Sequence, residues 1–177
     1  MARKITMSLS TDSIQKAIDE LNKYSDELTY KARLLAEKLA EQGVEIARVQ
    51  ISDLNAVFRG ELLASINASY VGSMPSGGIW AVVAGSDHAI FVEFGTGIVG
   101  KGSPYPGKLP DGVSWEYASG KTIHQLSDGR YGWFYPVGDK KDKKWYFTEG
   151  MPSRPFMLMT ANELKRKVKA VAKEVFG

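Results

Sequence analysis

A long series of apolar or small residues, spaced alternately four and three positions apart, constrains the fold of this chain more than any other feature. The positions are Ile14, Ile18, Leu21, Ser25, Leu28, Ala32, Leu35 and Leu39. Such a seam is typical of a long helix that packs against another helix. The cluster S-T-D-S at residues 10–13 offers good N-caps, and Gly43 is placed to end the helix. We therefore predict one helix over residues 12–42.

This helix is longer than a small domain can cover with its own core. At ~1.5 Å per residue it would measure about 45 Å. It could lie across the sheet of its own domain, or one end could project and pack on a neighbouring subunit. For the second interpretation the candidate interface residues are Ile14, Leu21, Leu28, Leu35 and Leu39.

Residues 44–94 are predicted to form the sheet. Residues 43–53 are β-branched and half alternating, which favours a strand, although periodicity alone leaves a continued helix open. After a short helical turn at E-L-L-A, strands are predicted at residues 66–71, 79–84 and 89–94, around the turn cluster S-M-P-S-G-G. This arrangement would be an antiparallel meander.

Residues 95–150 are predicted to be an insertion made of a loop and an aromatic hairpin. Residues 95–112 contain six glycines and three prolines, which indicates an irregular loop, either mobile or ordered by a partner. Strands are predicted at residues 113–117 and 132–137, and the hairpin has a charged tip at residues 138–144. Its aromatic residues either fill a core or form a contact surface. The candidates for that surface are Trp133, Tyr135, Trp145 and Phe147.

A second helix is predicted over residues 153–176, with Ser153 as its cap and Pro155 in its first turn. Its apolar stripe is Leu164, Val168, Val171 and Val175. Lysines and one arginine lie off this stripe and toward the C-terminus, where they complement the helix dipole. They form either a solvated basic face or a contact with nucleic acid.

Length and composition favour one soluble globular domain, residues 1–177, in which 44% of residues are apolar. Combining the predicted elements gives an α+β fold. An antiparallel sheet of about four to six strands would be packed by the N-terminal and C-terminal helices, with the aromatic hairpin inserted between them.

Several classes of site find no support in the sequence. Cysteine is absent, and His88 and His124 are far apart, so we expect no thiol chemistry and no metal site. A net charge of +3 argues only weakly for DNA, and we expect no specific nucleic-acid partner. The sequence contains neither a signal peptide nor an apolar run long enough to cross a membrane. We also expect no cofactor.

Gly95, Gly97 and Gly100 satisfy the nucleotide-binding pattern G-x-G-x-x-G directly after an apolar run. That pattern works only when the glycines open a helix whose N–H groups hold the phosphate. Here the continuation is G-S-P-Y-P-G, which cannot be helical. We therefore predict that these glycines bind no nucleotide.

Glu93 is an acid within an apolar segment. Strand alternation would put Ala89, Phe91 and Glu93 on one largely apolar face, where a carboxylate is costly unless it is paired. Glu93 could be a general acid or base, or it could form a structural clamp with Arg154. We favour the clamp, because no second catalytic partner is visible.

Three blocks of sequence resemble one known family. They are R-G-E-L-L-A-S-I at residues 59–66, E-F-G-T at residues 93–96 and P-S-R-P-F-M at residues 152–157. In this order they resemble the neck or tail-component proteins that join head and tail in long-tailed bacteriophages. At Phe58 and Arg59 the chain departs from the D-T-G that many members carry. The resemblance gives weight to the clamp, and to Gly95, Thr96, Gly97, Pro152 and Pro155 as its turn and loop residues.

The resemblance implies a structural protein of the virion, present at the head–tail junction or tail and in the host cytoplasm during assembly, in a phage or a prophage. Its partners would be copies of itself in a ring, and neighbouring head-completion, tail-terminator or tail-tube proteins. Two alternatives remain open. The first is a small hydrolase using Glu93 and His88 in a cleft under the glycine loop, and the second is a DNA-binding module using the C-terminal basic helix.

Overall fold

A computed structural model of the chain describes residue 6 and residues 8–56, 60–109, 111–118, 120–138 and 142–177. The elements, in order, are α1 (Thr11–Asp53), α2 (Glu61–Ser65), β1 (Ile66–Met74), β2 (Gly77–Ala84), α3 (Ala89–Phe94), α4 (Gly97–Gly102), β3 (His124–Gln125), β4 (Tyr131–Val137), β5 (Lys144–Thr148), β6 (Gly150–Met151) and α5 (Phe156–Phe176). The predicted α+β class is confirmed. The strands form two antiparallel sheets, β1-β2 and β3-β4-β5, instead of one.

Helix α1 begins where the N-cap cluster predicts, since the side chain of Ser10 accepts a hydrogen bond from the N–H of Ser13. Its predicted end at Gly43 is wrong, as is the strand predicted at residues 43–53, because the helix continues to Asp53. The helix ends where Asn55 adopts a left-handed conformation, with φ 49°, and the N–H of Ala56 donates to the carbonyl of Ile51. These are the features of a Schellman cap, here with asparagine in the usual place of glycine.

Gly43 lies within α1 because two other elements approach the helix at this point. A Cβ added at Gly43 would lie 2.6 Å from Cγ2 of Val82 on β2 and 3.0 Å from Cδ1 of Leu164 on α5. The glycine therefore permits a close three-way contact and does not end the helix.

The β1-β2 hairpin forms as predicted, with a tight turn at Pro75 and Ser76. One face of it packs on the second half of α1, where the core contains Val44, Ala47 and Ile51. Ile66, at the start of β1, is 1% exposed and belongs to the same core. The segment that carries the short predicted helical turn is α2, whereas the turn predicted near Phe58 and Arg59 lies outside the described residues.

Residues 89–94 form the short helix α3 and not the predicted strand. The buried residues are consequently Ala89, Val92 and Glu93, at helical spacing, while Phe91 is 43% exposed. The irregular loop predicted at residues 95–112 contains α4, which ends just before the first proline of that segment. The segment predicted as a strand at residues 113–117 has no strand structure.

The aromatic hairpin forms as predicted, from β4 and β5 in antiparallel register. Tyr135 pairs with Tyr146 and Trp133 with Thr148. Residues 139–141 of the charged tip lie outside the described residues.

Helix α5 begins at Phe156, three residues later than the predicted start, and Pro155 is its N-cap. It runs antiparallel to α1, because Leu164 lies at Gly43 and Glu174 further along α5 forms an ion pair with Lys38. Phe156 is fully buried and joins the core with Ile51. Among the described helices, none is both long and apolar enough to span a bilayer.

Candidate functional site

The two motifs on which the clamp hypothesis rests meet in the structure, at the junction where α3 ends and α5 begins. The N–H of Arg154 donates to the carbonyl of Val92 at 2.8 Å, and the hydroxyl of Ser153 donates to the carbonyl of Glu93 at 2.6 Å. Thr96 and Met151 form a β-bridge beside these contacts. E-F-G-T and P-S-R-P-F-M are therefore packed backbone to backbone.

The carboxylate of Glu93 caps α5 from a different element. Its Oε2 accepts a hydrogen bond from the N–H of Met157 at 2.9 Å, and its Oε1 accepts one from the N–H of Leu158 at 3.1 Å. The first N–H groups of a helix have no partners inside the helix, and the N-cap here is Pro155, which has no side-chain acceptor. The N–H of Phe156 donates to the carbonyl of Arg154, so the start of α5 is satisfied.

The predicted ion pair between Glu93 and Arg154 is not formed. The carboxylate oxygens are bonded to the backbone of Met157 and Leu158, and Arg154 contributes its own N–H to Val92. The segments joined were predicted correctly, but the bonds that join them were not. A sequence signal for the true partners was the start F-M-L-M, whose first turn offers no polar side chain to cap itself.

Burial and capping act on Glu93 in opposite directions. The side chain is buried at 6% exposure, and this burial raises the pKa of its carboxyl, while the N–H groups of Met157 and Leu158 lower it. Burial also raises the pKa of Tyr105, and the charge of Glu93 raises it further. The partial positive charge at a helix N-terminus favours a carboxylate there. The arrangement therefore holds a buried acid in place by hydrogen bonds to backbone.

The glycine-rich segment is held against the strand that precedes α5. Gly95 has φ +79°, and a Cβ there would lie 2.6 Å from the nitrogen of Ser153. Gly97 forms a β-bridge with Gly150, and its own N–H donates to the carbonyl of Tyr117. The expectation of irregular structure is therefore wrong for residues 97–102, which form α4, whereas the mobility of the segment stays a prediction.

The prediction that no helix follows the glycines is wrong, because Gly97–Gly102 form the short helix α4. Its leading N–H groups already have protein partners, however. Gly97 donates to Tyr117 and Val99 donates to the carbonyl of Glu149. These bonds compete with any phosphate at that position. Absence of nucleotide binding stays a prediction.

The hydrolase alternative requires Glu93 and His88 to share a cleft, and the structure separates them. His88 is exposed on the surface before α3, whereas Glu93 faces α5. A cavity of about 390 Å³ lies nearby and neither residue lines it. Its lining residues are Phe91, Thr96, Ser114, Trp115, Glu116, Tyr117, Lys121 and Trp133. Within the described residues, no cluster of acids and histidines could hold a metal ion.

The candidate interface residues of α1 are exposed in the first half of the helix and half-buried in the second half. Ile14, Leu21 and Leu28 are 39%, 55% and 39% exposed, in the half that precedes the contacts with α5 and the β1-β2 hairpin. Leu35 and Leu39 are half-buried, in the half that makes those contacts. Part of the predicted seam thus packs within the domain and part is open.

The aromatic hairpin is buried at Trp133 and becomes exposed toward its tip. Trp133 is a core residue at 9% exposure, packed beside Gly97, and its assignment to an interface is wrong. Tyr135 and Trp145 are 43% and 62% exposed, and Phe147 is half-buried against Phe134 at 5.4 Å between ring centroids. Tyr135 lies on the same face as Trp133, and Trp145 lies on the other face with Phe134 and Phe147. The hairpin therefore exposes aromatic side chains on both faces.

The basic residues of α5 lie on its exposed face, as both interpretations of that face required. Arg166 forms an ion pair with Glu163, and Lys165, Lys169 and Lys173 are exposed.

Comparison with known proteins adds no assignment, since no family model, no curated protein and no solved structure matches this chain.

Proposed function

We propose that this chain is a non-enzymatic structural protein of the head–tail junction of a long-tailed bacteriophage, where copies of it form a ring. The observation that carries the proposal is the set of exposed apolar side chains on two elements, the first half of α1 and the β4-β5 hairpin. Large exposed apolar patches on a soluble protein mark sites of contact with other proteins.

The assignment to phage necks rests on the three sequence blocks described above. Two of them, residues 93–96 and 152–157, form one junction in which Glu93 caps α5 and Ser153 bonds back to α3. A shared structural role explains why these blocks occur together in one chain. It is also consistent with a scaffold whose exposed elements do the binding.

The partners in this proposal are other copies of the chain and the adjoining head-completion, tail-terminator or tail-tube proteins. The protein acts in the virion, at the head–tail junction or tail, and is assembled in the host cytoplasm. The enzyme alternative lacks a comparable observation, because both carboxylate oxygens of Glu93 accept hydrogen bonds from the backbone of α5. The DNA-binding alternative rests on the exposed lysines of α5, and the neighbouring Arg166 is already paired with Glu163.

Inactivation of the gene in the phage or prophage genome that carries it tests the proposal. We expect electron micrographs of the lysate to show DNA-filled heads and separate tails, with infectivity lost. A plasmid copy of the wild-type gene should restore joined particles. Joined and infectious particles in the absence of the protein would refute the proposal.

A matched pair of plasmid variants sharpens this experiment. Leu21→Lys with Leu28→Lys places two charges on the apolar seam of α1, and should fail to restore infectivity. Glu20→Gln with Tyr30→Lys changes the net charge by the same amount on the exposed face opposite the seam and should restore it. Lysine and leucine have similar helix propensities, so the variants differ in the face that they alter.

A further inference from the structure

The first half of α1, residues 11–31 and called the arm below, has an apolar seam that the other described residues leave exposed. Ile14, Ile18, Leu21 and Leu28 are between 39% and 55% exposed. Gly43 is ~8 helical turns after Ile14, at 3.6 residues per turn, and so lies on the same face. There the seam is covered by Val82 and Leu164.

The β1-β2 hairpin and α5, which cover the second half of the seam, make their contacts with α1 from about Ala32 onward. The tip of the β1-β2 hairpin reaches α1 at Ala32, whose Cβ would lie 3.3 Å from a Cβ at Gly77. Helix α5 ends at Phe176, just after Glu174 pairs with Lys38. One continuous seam is therefore packed in the second half of the helix and bare in the arm.

The spacing of the bare seam specifies the kind of partner. Steps of four and three from Ile14 through Leu28 place side chains as knobs for the holes on another helix. The other long helix among the described residues is α5, and its uncovered face carries Lys165, Lys169 and Lys173 instead of an apolar stripe. Within that part of the chain, the helix that offers a matching bare seam is α1 itself.

The charges of the arm are compatible with a copy of itself. The positions that flank the seam are neutral until the end of the arm, with Gln15, Asn22 and Thr29 on one side and Ala17, Tyr24 and the charged Lys31 on the other. Residues 11–31 include five acidic and three basic side chains, and most of them lie opposite the seam. Two arms can therefore face each other with few like charges in contact, since the charged flanking residue Lys31 is paired with Glu27 of its own helix. The excess of acidic residues disfavours an anionic partner such as nucleic acid.

We infer that the arm is a self-recognition element, and that the seam from Ile14 to Leu28 packs against the same seam of a second copy of this chain. This rests on the proposed assembly function and names one contact within it. Three heptads give a weak pairing when isolated, since helices of this length are marginal in water. The pairing is strengthened when many copies meet in one assembly.

Cysteine cross-linking of the full-length protein tests the inference directly, because the natural chain contains no cysteine. Leu21→Cys places a thiol on the seam, and Lys23→Cys places one on the opposite face of the same exposed helix. Under mild oxidation we expect Leu21→Cys to form a disulfide-linked dimer at least about tenfold faster, since docked seams hold the thiols at ~millimolar effective concentration.

Equal rates for the two variants overturn the inference. If equal rates accompany oligomers in sedimentation, the arm docks on another surface of its neighbour. If they accompany monomers, its partner is a different protein. Loss of head–tail joining in the gene inactivation experiment is a separate result, so failure of the arm pairing and failure of the phage function can be distinguished.

Discussion

Glu93 supplies from α3 the hydrogen-bond acceptor that the first turn of α5 lacks. The sequence identified Glu93 as important because an acid in an apolar segment needs a partner. It could not identify that partner, because backbone N–H groups carry no residue identity. Arg154 was the visible cation nearby, and its side chain proves to be the wrong partner.

Removal of the Glu93 carboxylate should therefore destabilise the fold. Glu93→Ala leaves the N–H groups of Met157 and Leu158 without their acceptor, and we expect a loss of about 3 kcal/mol in the free energy of unfolding. Arg154→Met keeps the backbone bond to Val92 and should cost less than about 1 kcal/mol. Urea denaturation of both variants checks this, and equal large losses would restore the ion pair as the explanation.

The pKa of Glu93 gives a second, independent prediction. Burial raises this pKa from its ordinary value of 4.5, so the folded protein binds the proton more readily than the unfolded chain. The resulting contribution to stability is fully present below the unfolded pKa and is lost as the pH rises through the folded pKa.

Urea denaturation of wild type and of Glu93→Gln, from about pH 4 to about pH 7, measures this contribution. The free energy of unfolding of wild type, minus that of Glu93→Gln, should fall as the pH rises, because only wild type has the titrating carboxyl. A difference that grows with pH would mean that the hydrogen bonds from Met157 and Leu158 outweigh burial.

At the scale of elements, the sequence located helices and hairpins where local signals were unambiguous. Ser10 marked the start of α1, and the turn at residues 73–78 marked the β1-β2 hairpin. Helix α3 was missed because a six-residue run that is apolar or aromatic except for Glu93 fits a buried strand equally well. The end of α1 was missed because Gly43 has a packing role that only the tertiary contacts with Val82 and Leu164 reveal.

Gly43→Ala tests that packing role. Alanine favours a helix by ~1 kcal/mol over glycine, but overpacking costs about 1–3 kcal/mol, so we expect a net loss of about 1 kcal/mol. In a Val82→Ala background the methyl group that it meets is gone, and the same change should become neutral or stabilising. A double-mutant cycle measured by denaturation checks this coupling. Additive effects would show that Gly43 is not held by contact with Val82.

At the scale of the whole molecule, packing is concentrated at one end of a very long helix. The core includes Val44, Ala47, Ile51 and Phe156, and all four lie at or beyond the second half of α1. The arm extends past this core with its seam exposed. The sequence left two interpretations of the helix open, one in which it lies across its own domain and one in which an end projects from it. Each applies to one half of α1.

This division predicts a gradient of backbone stability along α1. In dilute solution the amides of residues 14–28 should exchange with deuterium much faster than those of residues 40–51, because an isolated helix of the length of the arm is marginal and the second half is held by tertiary packing. As the protein concentration is raised, the arm should gain protection while residues 40–51 remain unchanged, since pairing adds contacts only to the exposed seam. The variant with Leu21→Lys and Leu28→Lys should keep fast exchange in the arm at every concentration, and its core should match that of wild type. Hydrogen–deuterium exchange followed by mass spectrometry measures both segments in one experiment. Equal protection of both halves at the lowest concentration would mean that the arm is stable without a partner, and the exposed seam would then need another explanation.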